Sequence, residues 1–213
     1  MGVVRLDSLL ASSLSLLSQN EEFVVIAALG FYGVHIVDEI EEMYSPTNGN
    51  ISGTGMLSFG LNVKHAFNKS IYGAFGIRYI QKGSIYRFTT SYGTNAFESI
   101  RLNYIEIPVV LGFKINLKKK YLLAETGFAY ARLVSSKMDV SDLNQWDCSD
   151  KLKNFKQNDY SWVANIKYPI IKSKKLLAGF RFSYSLASIH TYYKLRNLDY
   201  GLELYYLFNR KVK

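Results

Sequence analysis

From residue 52 onward this chain alternates: in one run after another, every second side chain is apolar, and turn residues separate the runs. Successive side chains on a strand point to opposite faces, so a period of two commits each run to a strand with one apolar face. Leu57, Phe59, Leu61 and Val63 share one parity; Ser58, Asn62 and Lys64 share the other. The same split sets Ile71, Phe75, Ile77 and Tyr79 against Tyr72, Ala74, Gly76, Arg78 and Lys82. It recurs in Ile105 to Ile115, Leu122 to Tyr130, Tyr160 to Tyr168, Leu176 to Leu186 and Leu198 to Phe208. Ile80 and Val110 break the pattern, and the run Phe23 to Val34 is apolar on both faces, so its orientation stays open. Counted as the first strand, that run brings the number to eight, which suits a closed up-and-down antiparallel barrel.

Polarity decides which face points inward. In a soluble lipocalin-like barrel the outer wall carries many charges. Here the polar face is built of Gly, Ala, Ser and Asn with isolated charges, while the six odd-numbered residues from Ile105 to Ile115 are all apolar. Such a face is a poor water-facing wall, whereas small residues fit a narrow lumen whose few charges can pair across it. The chain therefore reads as all-β, an eight-stranded antiparallel up-and-down transmembrane β-barrel of the cell outer membrane, with lipid outside. The longest apolar run, the 12 residues Phe23 to Val34, excludes a helical span.

The connections agree. Those at Asn68–Ser70, Leu117–Lys119 and Pro169–Lys174 are short, and those near 35–51, 89–98, 135–158 and 188–197 are longer, an alternation typical of outer-membrane barrels. Tyr86, Tyr104, Tyr121, Tyr160, Trp162 and Tyr206 lie toward strand ends, where an interfacial girdle belongs. The short turns and termini gather Lys69, Lys118, Lys119, Lys120, Lys172, Lys174, Lys175, Arg210, Lys211 and Lys213, ten cations that account for the net charge of +9. Basic groups at a bilayer surface attract anionic headgroups, so outer-membrane lipid is the expected partner. No nucleic-acid partner is needed to explain the charge, and no aromatic–basic strand-binding module is visible. The basic turns, Lys118–Lys120 and Lys172–Lys175, are read as periplasmic and the acidic loops as external.

At 213 residues the chain has room for one domain. Residues 21–213 read as the barrel. Residues 1–20 carry Arg5, a serine-diluted apolar stretch from Leu9 to Leu17 and then a polar shift, and read as a signal peptide or an N-terminal extension. The single cysteine, Cys148, leaves no internal disulfide and no multi-cysteine zinc site.

The segment Arg101-Leu102-Asn103-Tyr104-Ile105-Glu106-Ile107-Pro108-Val109-Val110-Leu111 resembles the PorT-type outer-membrane β-barrel family of Bacteroidetes. Tyr79-Ile80-Gln81-Lys82-Gly83 is similar to that family's third-strand ending, Tyr121 to Val134 to its fifth strand, and Arg196 to Phe208 to its closing strand. The first strand lacks the family's Gly-Gly-x-Asn pattern. The resemblance implies a barrel whose founding relative is similar to a component of the type IX secretion and gliding machinery, so protein partners in a secretion or surface complex are expected. Most relatives are barrels without an assigned activity, and a fold does not fix a function.

Candidate chemistry lies on the polar parity. Lys64, Arg78, Lys82, Glu106, Lys114, Glu125, Lys167, Arg181 and Glu203 should project inward, with Arg78 beside Glu106 and Arg181 beside Glu203 on adjacent strands. Buried charges must pair or lose several kcal/mol to desolvation. Arg78, Glu106, Glu125, Arg181 and Glu203 are thus read as a charge network plugging the lumen, the alternative being a gated ion or small-solute path. Pro108 cannot donate to a ladder, so a bulge is expected in the fourth strand. A rim-site enzyme would rest on His35, His190, Asp38 and Asp199, but no G-x-S-x-G, H-E-x-x-H or phosphate-cradling loop occurs, and no catalysis and no cofactor are expected. Acidic groups at Asp38, Glu39, Glu41 and Glu42, and at Asp139, Asp142, Asp147 and Asp150, read as solvated loop surface rather than as a cation site.

Overall fold

The computed structural model describes residues 23–38, 50–89, 95–118, 120–140, 153–171 and 175–208. Eight strands follow in chain order: β1 (Phe23–Asp38), β2 (Asn50–Ala66), β3 (Ile71–Thr89), β4 (Asn95–Asn116), β5 (Tyr121–Val140), β6 (Asn158–Pro169), β7 (Leu176–Ser185) and β8 (Leu195–Phe208). Each pairs antiparallel with its sequence neighbour, and β8 returns to β1 from Val25↔Phe208 to Asp38↔Leu195, closing the barrel. Closure leaves no open edge, which the hydrocarbon interior requires because it offers backbone groups no other partner.

Parity runs through every strand. Leu102, Tyr104, Glu106 and Val110 are buried, while Ile107, Val109 and Leu111 on the other parity are exposed. The outward belt includes Leu202 at 71% and Phe128 at 63% exposure, alongside Phe31, Phe59, Phe75 and Val109. An apolar belt of this extent matches a lipid-facing surface. The ambiguous first run resolves with Ile26, Ala28, Tyr32 and Val34 inward and Val25, Leu29 and Phe31 outward. Ile80 and Val110, apolar residues on the polar parity, keep their geometric phase and point into the lumen, where they join buried apolar clusters.

Three sequence readings need correction. The fourth strand starts at Asn95, so the connection expected at 89–98 contracts to 90–94. Asn95 to Ser99, with Ala96 and Phe97 side by side, do not alternate, and their strand state comes from pairing with β3 through Thr89↔Asn95. The loops expected to begin at 35 and 135 likewise start later, because β1 continues to Asp38 and β5 to Val140. A membrane strand needs only ~9–11 residues, so β4, with 22, extends well past the bilayer at this end. Pro108 makes no bulge: the β3–β4 register is the same at Phe75↔Val109 and Arg78↔Glu106. Pairing to β3 lapses between those two positions, while pairing to β5 continues through Pro108↔Ala129. The missing N–H is absorbed as a local gap on the β3 side. The irregularity of β4 instead falls at Asn103/Tyr104 against β5. The segment 1–20, most of the acidic loop residues and Cys148 lie outside the described residues.

The outward belt yields a direct expectation. Leu202 sits near the middle of β8, between Phe31 and Phe180 in register. Leu202→Arg should destabilise the barrel by about 2–4 kcal/mol when folding into lipid vesicles is followed against urea. A change below about 0.5 kcal/mol, the usual scale for water-facing positions, would show that this face is not in hydrocarbon.

Candidate lumen charge network

Among the described residues, nine buried side chains inside the barrel are formally charged: Arg78, Lys82, Lys167 and Arg181 against Glu106, Glu125, Asp159, Asp199 and Glu203. They fall into three levels. At mid-height, Nη2 of Arg181 on β7 donates to Oε1 of Glu106 on β4 at 2.6 Å. The Nε of Arg78 lies 3.9 Å from the same oxygen. Arg78 also forms an ion pair with Glu203 and donates to the Tyr32 hydroxyl at 2.7 Å, and that hydroxyl in turn donates to Glu203. A single chain of contacts thus links β7, β4, β3, β8 and β1.

Toward the long-loop end, Lys82 Nζ lies 3.1 Å from Oδ2 of both Asp159 and Asp199. Asn197 donates to the same oxygen of Asp159 at 3.0 Å, and the Lys82 ammonium sits 5.5 Å from the centre of the Tyr104 ring. Toward the short turns, Lys167 holds Glu125 through both carboxylate oxygens, at 2.7 and 2.6 Å. Asn165 at 2.9 Å and the Tyr72 hydroxyl at 2.8 Å also donate to Glu125. Apolar clusters pack among the outer groups: Ile26, Leu123, Val163 and Leu177 lie in the cluster toward the turns, and Ile36, Ile80, Leu102 and Ile189 in the one toward the loops.

Small inward residues make room for these groups. A Cβ at Gly30 would meet the Tyr32 ring, which lies across that position to reach Glu203, the residue opposite Gly30 on β8. Tyr72 lies in the same way over Gly112, its register partner on β4, and so reaches Glu125. A narrow lumen with alternating small and large side chains fills in this manner.

All five residues named from the sequence, Arg78, Glu106, Glu125, Arg181 and Glu203, are buried in the lumen. Of the two expected neighbour couples, Arg78–Glu106 is formed, at 3.9 Å, whereas Arg181 pairs with Glu106. Arg78 does face Glu106 in register, but its short contact is to Glu203. Arg181 has Asn165 and Gly201 beside it and reaches across the lumen to Glu106. The reason is geometric: in a closed barrel a long inward side chain can meet the opposite wall as readily as its neighbour. Asp159 and Asp199 were missed as lumen charges. Asp199 shares the parity of Glu203 on β8, and that parity was the available signal. Its reading as a rim residue is corrected by its burial and its contact with Lys82.

The other residues of the rim reading come from different elements. Asp38 and His35 lie on β1, whereas His190 lies in the connection after β7, bridged to Phe155 and stacked on Tyr193 at 4.7 Å between ring centres. Its Nδ1 accepts from the amides of Tyr192 and Tyr193, both at 3.2 Å. Among the described residues, no group of three or more His, Cys, Asp or Glu is placed to hold a metal ion. Of the basic turns, Lys118, Lys120 and Lys175 are exposed, and Lys120 lies over the Tyr168 ring at 4.6 Å. Lys119, Lys172 and Lys174 lie outside the described residues.

Two measurements probe this geometry. Glu106→Ala removes the carboxylate shared by two buried guanidinium groups and should cost about 3–5 kcal/mol in equilibrium unfolding. The apolar replacement Glu106→Leu with Arg181→Met should recover most of that loss, since Arg78 keeps Glu203. At His190, burial first and the nearby Lys156 second hold the imidazole below its ordinary value. The opened loop therefore takes up a proton before the closed one does, so closed-loop stability is full above about pH 6.5 and falls as pH drops through the lowered value. Amide protection at Thr191, which bonds to the Asn154 carbonyl, should decline over that range after correction for intrinsic exchange. His190→Phe should abolish the dependence.

The family described as "Outer membrane protein beta-barrel domain" matches residues 18–191 of this chain. No curated protein matches it. Among solved structures, the chain is similar to the attachment invasion locus protein Ail of Yersinia pestis, at 12% identity and TM-score 0.47, over 89% of this chain and 100% of that one. It is also similar to the outer membrane protein OprG of Pseudomonas aeruginosa, at 9% identity and TM-score 0.48, over 90% and 98% of the respective chains. Likenesses this distant carry no argument about activity.

Proposed function

The chain belongs to the family of outer membrane protein beta-barrel domains, and from that premise we propose that it works as a non-enzymatic barrel with an occluded lumen. In this reading it is a structural or accessory component of a surface or protein-secretion assembly of the type IX kind. The observation that carries the first part is the cross-lumen bracing, in which Arg181 meets Glu106 from the opposite wall while Arg78 joins Glu203 and Tyr32. A conducting path needs charges that can release one another, and these are held in buried ion pairs in a lumen only side chains wide. The secretion role is supported by the PorT-like block from Arg101 to Leu111. With the basic turns facing the periplasm, the exposed lysines Lys118, Lys120 and Lys175 meet lipid headgroups or an acidic partner.

Planar-bilayer recording tests the occlusion. The purified barrel should give no discrete conductance steps, whereas Glu106→Ala with Arg181→Ala, which removes the mid-height brace, should give small ones. Steps from the unmodified protein would favour the ion-handling reading. Recovery of the native protein in a complex with secretion or surface-assembly components would support the accessory role, and recovery as a solitary barrel would count against it.

A further inference from the structure

At the short-turn mouth of the barrel, between the ends of β1, β2, β3 and β4, lies a cleft of about 410 Å³. We infer that this cleft is a binding site for a phosphate-bearing anion. Among the described residues its lining carries three lysines, Lys64, Lys69 and Lys114, and no carboxylate. Its volume falls within the range of small-molecule sites. Its floor includes Tyr72, whose ring lies 3.6 Å under the Lys64 ammonium and whose hydroxyl is bonded inward to Glu125. That carboxylate is already gripped by Lys167 from the lumen side, so the nearest negative group of the network is turned away from the cleft.

The rim adds direction to the charge. Asn68 spends its side-chain oxygen on the amides of Ser70 and Ile71, at 2.8 and 2.7 Å, which leaves the donor end of its amide facing away from the turn. Lys114 also lines the cleft, and its ammonium lies 5.2 Å from the centre of the Tyr121 ring. Three ammonium groups and the Asn68 side-chain amide around one cleft match the several acceptor oxygens of a phosphate. The cleft opens where the strands leave the bilayer, so the phosphate can come from a phospholipid headgroup or from a free phosphorylated solute.

The test uses the full chain in dodecylmaltoside micelles, which bring no phosphate, at low ionic strength. The probes are inorganic phosphate and dihexanoyl phosphatidylglycerol, followed by calorimetric titration. The wild type and a Lys118→Gln/Lys120→Gln control should bind one or both probes alike. Lys64→Gln/Lys114→Gln should bind about tenfold more weakly or not at all, as expected from losing two charge-assisted contacts. Ser70→Glu, on the exposed turn, places a carboxylate at the cleft and should weaken binding even if the double variant does not fold. Binding of inorganic phosphate identifies a free solute as sufficient, and binding of phosphatidylglycerol alone identifies the lipid headgroup. If neither probe binds the wild type, or if the folded cleft variants bind as tightly as the wild type, the inference is wrong.

Discussion

The ladder between β1 and β8 is the contact on which the rest of this molecule depends. Hydrocarbon offers backbone amides nothing to bond to, so a sheet that enters it must end on itself. Once Val25↔Phe208 through Asp38↔Leu195 are paired, every strand has two neighbours, and each side chain faces either lipid or lumen. The apolar belt and the buried charges are then one fact seen from two sides, because a one-residue slip in any strand would exchange them.

Closure with eight strands also determines what the lumen must contain. The space is too narrow for bulk water and too wide to be filled by backbone alone. Glycines admit the rings of Tyr32 and Tyr72, and those rings carry hydroxyls to Glu203 and Glu125. Charges enter in mutually held groups rather than singly, which meets the cost of removing them from water. The mid-height group is buried, and burial strengthens its attractions. A brace from Arg181 to Glu106 joins strands that share no backbone ladder, so the network resists flattening of the barrel in a way backbone pairing alone does not.

Strand number, order and facing were legible in the sequence because period-two alternation is a local signal repeated seven times over. The orientation of Phe23 to Val34 was not, since both of its faces are apolar. Only the register with β2 and β8 settles it. The start of β4 was hidden because Asn95 to Ser99 are held by partners rather than by their own pattern. Inward placement of Arg78, Glu106 and Arg181 followed from parity, as did the Arg78–Glu106 couple, but the contacts of Arg181 with Glu106 and of Arg78 with Glu203 did not, because parity knows faces and not distances across a closed space. Asp199 shows the same limit from the other direction. Its parity marked it as inward, yet without the position of Lys82 it could be taken for a rim residue.

The account stands or falls on which face of each strand meets lipid. After Cys148→Ser, single cysteines placed in turn from Tyr200 to Tyr206 can carry a nitroxide, and its collision rates with oxygen and with a water-soluble nickel complex can be compared in vesicles. The account predicts high oxygen accessibility at 200, 202, 204 and 206, and low accessibility to both reagents at 201, 203 and 205. The reverse phase, or no phase at all, would contradict it.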